Sequence, residues 1–267
     1  MIREVIVDSM EQIAELFLMQ QYNEKIHRFR SSFFFRGLPD ARFSLVTSLQ
    51  RNCKNLPELE KPMLRNFMNY AALEDPSLKD SVWRQLIVGQ HHGLPTRLLD
   101  WTHSSMVALH FALTERNPDK MDKRDCVVWC IDARETNALL PKPYRAILDN
   151  ASSFVMSADQ LERIAPTLED YDEAMGGKSL VLFEPPSIDQ RIINQFSFFS
   201  VIPRGMTDIE GFLDANTHST TRYVIRKEIR WQIRDTIDQL NMNERIFYPG
   251  LDGVTQMIAR HYFVREK

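Results

Sequence analysis

The sequence predicts an α+β fold with a mostly antiparallel or mixed sheet flanked by helices. Three observations carry this expectation. Short apolar runs such as FFFRG, TRLLDWT, CVVWCIDA and FSFFSVI have strand length. Between them lie segments whose apolar residues recur every three or four positions, the spacing of a helix face. The two kinds mingle without internal repeats and without a regular strand-helix-strand period, which argues against a parallel doubly wound sheet.

Each element has a local reason. In SMEQIAELF, Ser9 and Gln12 have capping-box spacing, and Ile13, Phe17 and Leu18 form an apolar stripe, so a helix starts there. FFFRG, 33–37, reads as a buried strand ending at Gly37, with Leu38-Pro39-Asp40 as the turn. Pro62 suits the first turn of a helix that carries Leu64, Phe67, Met68 and Ala71 up to Asp75-Pro76. A second helix bears Val82, Leu86 and Ile87 and stops at Gly89. After Gly93-Leu94-Pro95 come the strand TRLLDWT, the helix SSMVALHFALTE and the strand CVVWCIDA.

Residues 134–177, where Pro141, Pro143, Pro166 and Gly176-Gly177 interrupt short helical patches, read as an insertion or substrate-facing region within a single domain of residues 1–267. SLVLFEPP is a strand stopped by two prolines. In SIDQRIINQFSFFSVI a helical turn, with Ser187 and Gln190 in capping-box spacing, leads into a strand. YVIRKEI is a further strand, Ile229, Ile233, Thr236, Ile237 and Leu240 mark an amphipathic helix, and IFYPGLDGVTQMIARHYF joins a Pro/Gly turn to a terminal helix.

Composition bounds the function. At 267 residues, 43% hydrophobic and 26% charged, the chain can bury a sizeable core. A net charge of −3 provides no global basic field for a long duplex, so nucleic acid is a permitted partner through a local basic cleft only. The opening MIREVIVDSMEQIAELF lacks a signal-peptide layout, and no run of about 18 apolar residues occurs, so a cytoplasmic protein without membrane contact is expected. Cys53, Cys126 and Cys130 make an odd count. Cys126 and Cys130, four apart in a strand, would face one side as small hydrophobes, without a disulfide.

The most informative segment is QHHGLPTRLLDWTHSSMVALHFA, 90–112, where polar side chains feed an apolar helix. Burying such groups without partners is costly, so they are expected to border a cleft. No metal is expected: His91 and His92 are adjacent, His103 and His110 are seven apart, and no HExxH motif or Cys/His knuckle accompanies them. Neither a nucleophile elbow nor a complete phosphate loop is present; GGKS at 176–179 lacks the upstream glycine.

FFFRG at 33–37, QHHGLPTRLLDWT at 90–102, the ALHFA helix, RIINQFSFF at 191–199 and IFYPGLDG at 246–253, in this order, resemble the FRG-domain family of bacteria and phages. The one departure is Phe196-Ser197, where a Gln/Gly pair commonly follows the glutamine. The resemblance implies a layout like that of ADP-ribosyltransferases: a split mixed or antiparallel sheet flanked by helices, with NAD as substrate. It further implies a toxin of an antiphage toxin-antitoxin system that modifies RNA or another nucleic acid, with an antitoxin or chaperone as partner. The alternatives are an NAD glycohydrolase and a non-catalytic nucleic-acid or protein binding module.

Within that resemblance, Arg36, Thr96 and Arg97 are the candidate NAD-binding residues, and Gln195, Asp100 and His91 the candidate catalytic ones. A guanidinium binds phosphate oxygens bidentately, which suits Arg36. Thr96, Leu98 and Asp100 alternate onto one strand face, where Asp100 either meets a ribose and its developing positive charge or caps the next helix. The Gln195 amide can hold a hydroxyl in attack geometry, Glu184 can supply a carboxylate instead, and a neutral His91 can bond to the nicotinamide side.

Overall fold

The computed structural model describes residues 1–17, 19–24, 26–54, 56–115, 117–187 and 190–265. Among them ten strands form: β1 (Arg3–Val7), β2 (Gln21–Asn23), β3 (Arg28–Arg30), β4 (Phe33–Leu38), β5 (Leu98–Thr102), β6 (Cys126–Asp132), β7 (Met156–Ser157), β8 (Val181–Glu184), β9 (Ser197–Val201) and β10 (Thr221–Ile225). Eight make one sheet in the order β1-β10-β6-β4-β5-β9-β8-β7, and β2 and β3 form a separate hairpin. The sheet is mixed: its two edge pairs, β1 with β10 and β7 with β8, are parallel, and the rest are antiparallel.

The helices before the third central strand are α1 (Met10–Phe17), α2 (Ser48–Asn52), α3 (Glu60–Glu74), α4 (Val82–His91) and α5 (Ser105–Ala112). Then follow α6 (Ala133–Ala138), α7 (Lys142–Ala151), α8 (Ala158–Ile164), α9 (Leu168–Met175), α10 (Gln190–Asn194) and α11 (Ile209–Asn216). The C-terminal group is α12 (Arg230–Gln239), α13 (Glu244–Phe247) and α14 (Leu251–His261). No helix of the described residues is long and apolar enough to cross a membrane.

Helices cover the sheet in groups, because β6, buried at every position, and its neighbours present apolar side chains to both faces. On one face Phe33, Phe35, Cys126, Val128 and Cys130 pack with α1, α5 and α12. A second core joins Leu98, Phe199, Val201 and Phe183 to α4, α7, α8 and α9. The third contains Phe34, Leu99, Trp101 and Trp129 with α11. Leu98 and its neighbour Leu99 thus point into different cores, the alternation expected of a strand. Cys126 and Cys130 do share one side as small buried hydrophobes, and all three cysteines are free.

Several expected boundaries move, each for a local reason. α4 runs through Gly89 to His91, because Leu94 folds back against Gly89: Leu94 N donates to the Gly89 carbonyl at 2.8 Å, and a Cβ on Gly89 would lie 2.9 Å from Leu94 Cδ2. The chain then turns at Gly93, which has φ +87°. β5 starts at Leu98 and not at Thr96, because the Thr96 main chain bonds to the start of α2, accepting from Leu49 N and donating to Ser48 Oγ. α3 begins at Glu60, two residues before Pro62. β9 begins at Ser197, after Phe196 takes the left-handed conformation with φ +48°.

Residues 134–177 form α6 to α9 and β7, and Tyr144, Leu148, Leu161 and Tyr171 are part of a core. The α1 apolar stripe is described at Ile13, which is buried; Leu18 and the side chain of Phe17 lie outside the described residues, as do residues 188 and 189 between Ser187 and Gln190.

Candidate functional site

The sheet parts at its centre. β4 pairs with β6 at six positions but meets β5 at a single one, Phe35 with Thr102. Beyond that pair the strands separate, and polar groups on their facing edges need other partners. Arg36 supplies one: its Nη1 donates to the Asp100 carbonyl at 2.7 Å and to Asp100 Oδ2 at 3.2 Å. The guanidinium therefore spans the gap that ladder hydrogen bonds would otherwise fill. The Arg36 side chain is 18% exposed and that of Asp100 55%, so the pair has a covered cation and an open carboxylate.

A cleft of about 310 Å³ occupies this gap. Arg36, Gly37 and Asp100 lie along one side, Phe111 of α5 on another, and Arg191, Gln195 and Ser197 close it. α5 can approach β4 this closely because Gly37 has no side chain. A Cβ there would lie 1.9 Å from the Ala108 carbonyl oxygen and 2.6 Å from the Ala112 nitrogen. The glycine of FFFRG and the small residues of the ALHFA helix are thus two halves of one packing contact.

Asp100 is oriented from behind by Gln90, which the sequence reading did not single out. The Thr96 hydroxyl donates to Gln90 Oε1 at 2.5 Å, and Gln90 Nε2 donates to Asp100 Oδ2 at 3.1 Å. Because the Thr96 proton occupies the amide oxygen, the amide nitrogen is turned to the carboxylate. Arg36 and Gln90 therefore donate to the same Asp100 oxygen. The signal for Gln90 was its place at the head of QHHGLPTRLLDWT; an amide near the end of a helix otherwise reads as surface.

On the opposite wall, Asn194 Nδ2 donates to the Ile246 carbonyl at 2.7 Å and Gln195 Nε2 to the Phe247 carbonyl at 3.2 Å. One of the two Gln195 amide N–H groups is thereby used, and its Oε1 is an acceptor. Arg191 stands over the Tyr248 ring, 5.1 Å from its centroid. RIINQ and IFYPG, 55 positions apart between Arg191 and Ile246, are thus stitched together. Phe198 and Phe199 join the cores, whereas Phe196 is 58% exposed.

The structure brings Arg36, Asp100 and Gln195 to one cleft, and places the other sequence candidates elsewhere. Thr96 is buried and reaches the site only through Gln90. Arg97 is buried on another side of the chain, where its Nε and Nη2 donate to the buried Glu60 carboxylate and its Nη1 donates to Asp172 at 2.7 Å. This binds the start of β5 to α3 and α9 and leaves the charge compensated by two carboxylates. His91 ends α4, half-buried, with its ring 5.1 Å from that of His92, and it does not line the cleft. Glu184 is exposed at the end of β8, likewise outside it.

Four further groups have shifted titration because they are buried. Burial pushes the Cys126 thiol up to about 12 and the Cys130 thiol further up. His103 is held below its ordinary value by burial, with its ring 4.0 Å from Phe34 and 4.4 Å from Phe198. His110 is pushed down to about 3 by burial and by Arg234 beside it. Among the described residues no group of three His, Cys, Asp or Glu side chains is placed to hold a metal ion.

Comparison with known proteins matches residues 31–121 to the family model of the FRG domain. The match spans β4 to α5, and with them Arg36, Gln90 and Asp100, and stops short of Arg191 and Gln195. No curated protein and no solved structure matches the chain.

Proposed function

We propose, from the premise that the chain carries an FRG domain over residues 31–121, that it transfers ADP-ribose from NAD to a macromolecule. The acceptor we favour is nucleic acid, RNA in particular, and the setting a toxin of antiphage defence whose cleft an antitoxin or chaperone covers. One observation carries the reading: Arg36 and Asp100, from strands that separate at the centre of the sheet, form an ion pair whose open carboxylate shares a cleft with Gln195. A sheet that parts between β4 and β5 is also what an ADP-ribosyltransferase-like layout asks for.

The chemistry assigns each group a task. The bond from the ribose C1 to nicotinamide breaks, and its electron pair leaves with the ring. Positive charge then develops on the ribose, and among the described residues lining the cleft Asp100 is the carboxylate that can stabilise it. A lone pair of the acceptor closes the new bond to C1, and the acceptor's proton is released, with the same carboxylate in reach to take it. Gln195 Oε1 accepts a hydrogen bond from a hydroxyl and holds it for attack. Phe111 of α5 offers apolar surface to the nicotinamide ring. At about 310 Å³ the cleft lies at the small end of ligand sites, roughly 300–1,000 Å³, so it takes part of a dinucleotide and leaves the rest over the rim.

The test is nicotinamide release from NAD by the full chain, alone and with RNA, DNA or cell protein. Release that rises with one acceptor class, together with its modification, supports the reading. Release of free ADP-ribose without an acceptor would make the protein a glycohydrolase, and no release under any condition would end both.

A further inference from the structure

The charges lining the cleft do not add up to an anion site around Arg36. Its charge is opposed by Asp100 at 3.2 Å, so this pair is neutral as a unit. Of the other residues lining the cleft, Phe35, Gly37, Pro39, Trp101, Thr102, Ala108, Phe111, Thr114, Gln195 and Ser197 carry no charge. Arg191 is the exception. It has no carboxylate partner among the described residues, and its guanidinium rests on an aromatic ring, which leaves its N–H edge available for an anion.

The geometry points to Arg191 as the anion anchor of the cleft, held in place by Tyr248 and selective for a diphosphate ester; this assignment rests on the reading of NAD as substrate but not on transfer taking place. A diphosphate carries two negative charges, and the Arg36–Asp100 pair, neutral as a unit, has no net attraction for it. Arg191 makes the balance positive. Arg36 is then chiefly the group that fixes Asp100, and its buried Nε has no hydrogen-bond partner among the described residues. Tyr248 is a positioning residue: Asn194 and Gln195 tie the end of α10 to Ile246 and Phe247, and this sets the ring under Arg191.

The experiment is calorimetric titration of the full chain with inorganic pyrophosphate, ADP and NAD at two salt concentrations, with unfolding curves for every variant. Arg191→Ala is expected to weaken all three by about tenfold to hundredfold, the loss of one charge-assisted contact, with its melting temperature unchanged. Arg191→Lys keeps the charge and loses less than Arg191→Ala, and the wild-type affinity falls with added salt. Tyr248→Leu raises KM for NAD and leaves kcat near wild type, whereas Tyr248→Phe, which keeps the ring, matches wild type. A folded Arg191→Ala protein that binds pyrophosphate as wild type does would overturn the proposal, as would equal losses for Lys and Ala. Arg191-dependent binding of pyrophosphate and ADP without nicotinamide release would sustain the anion site and defeat the transfer reaction, so the two readings fail separately.

Discussion

Two arginines of similar appearance in the sequence have opposite meanings in the fold. Arg36 pairs with a carboxylate whose side chain is 55% exposed, and such a pair contributes within about 1 kcal/mol. Arg97 pairs with Glu60, whose side chain is 3% exposed, and removing one partner of a buried pair costs about 3–5 kcal/mol because the other charge is stranded. Thermal unfolding should therefore separate them. Arg97→Ala is expected to lower Tm on the order of 10 °C, whereas Arg36→Ala moves it by a few degrees at most and loses nicotinamide release. Equal shifts in Tm would contradict this assignment.

The same pair shows what was legible in the sequence at residue level. FFFRG and TRLLDWT announced polar groups on buried strands, and Arg36 and Asp100 do meet at the cleft. Thr96 and Arg97 looked equally suited, but their partners, Gln90, Glu60 and Asp172, come from helices whose placement no local pattern encodes.

At the scale of elements, the approach of α5 to β4 is the contact on which the cleft depends. Gly37 has backbone atoms where a Cβ would go, so Gly37→Ala must push α5 away. Overpacking of this kind costs typically about 1–3 kcal/mol and here more, because backbone cannot rotate aside. Gly93 is a useful control. It has φ +87° and open space around it, so Gly93→Ala meets only left-handed strain of about 1 kcal/mol. Chemical denaturation should rank Gly37→Ala as clearly the more destabilised, and the reverse order would sink the packing argument.

Helices and central strands were legible because their apolar periodicity is strong; the edges were not. β1 has one buried residue in five, and β7 is two residues long, so neither carries a pattern without its parallel partner. The turn before β9 was legible only as a departure. Phe196 takes φ +48°, a conformation costly for a large side chain, and no apolar period announces it.

On the scale of the whole molecule, a buried charge network fastens α5 to the C-terminal helices. Arg234 Nη1 donates to His110 Nδ1 at 2.9 Å, so this nitrogen is the acceptor and the imidazole is neutral. Arg234 also pairs with Asp238, and Arg260 joins Asp238 to Glu244. In the folded chain His110 titrates near 3, against 6.5 when unfolded. The unfolded state therefore binds a proton that the folded state refuses, and stability falls as pH drops below 6.5, by up to about 1.4 kcal/mol per pH unit for this group. Glu244, with its carboxyl held at about 2 by Arg260 against its burial, adds stability present above its ordinary value of 4.5 and lost at more acid pH. In the interval from pH 5 to 6.5 both His110 and His103, which burial also holds below its ordinary value, resist protonation, so the His110 share is read against a variant. Urea unfolding across this interval should show a steeper loss in wild type than in His110→Gln, whose amide oxygen still accepts from Arg234; identical slopes would contradict the burial of a neutral imidazole.

The central claim is that Asp100, fixed by Arg36 and Gln90 where the sheet parts, faces the ribose of NAD. The most direct measurement is transfer of label from adenylate-labelled NAD to RNA by wild type and by Asp100→Asn, with Tm recorded for both. The account predicts a labelled acceptor with wild type and at least a hundredfold loss in Asp100→Asn, with Tm within a few degrees. Transfer by Asp100→Asn at the wild-type rate would contradict it.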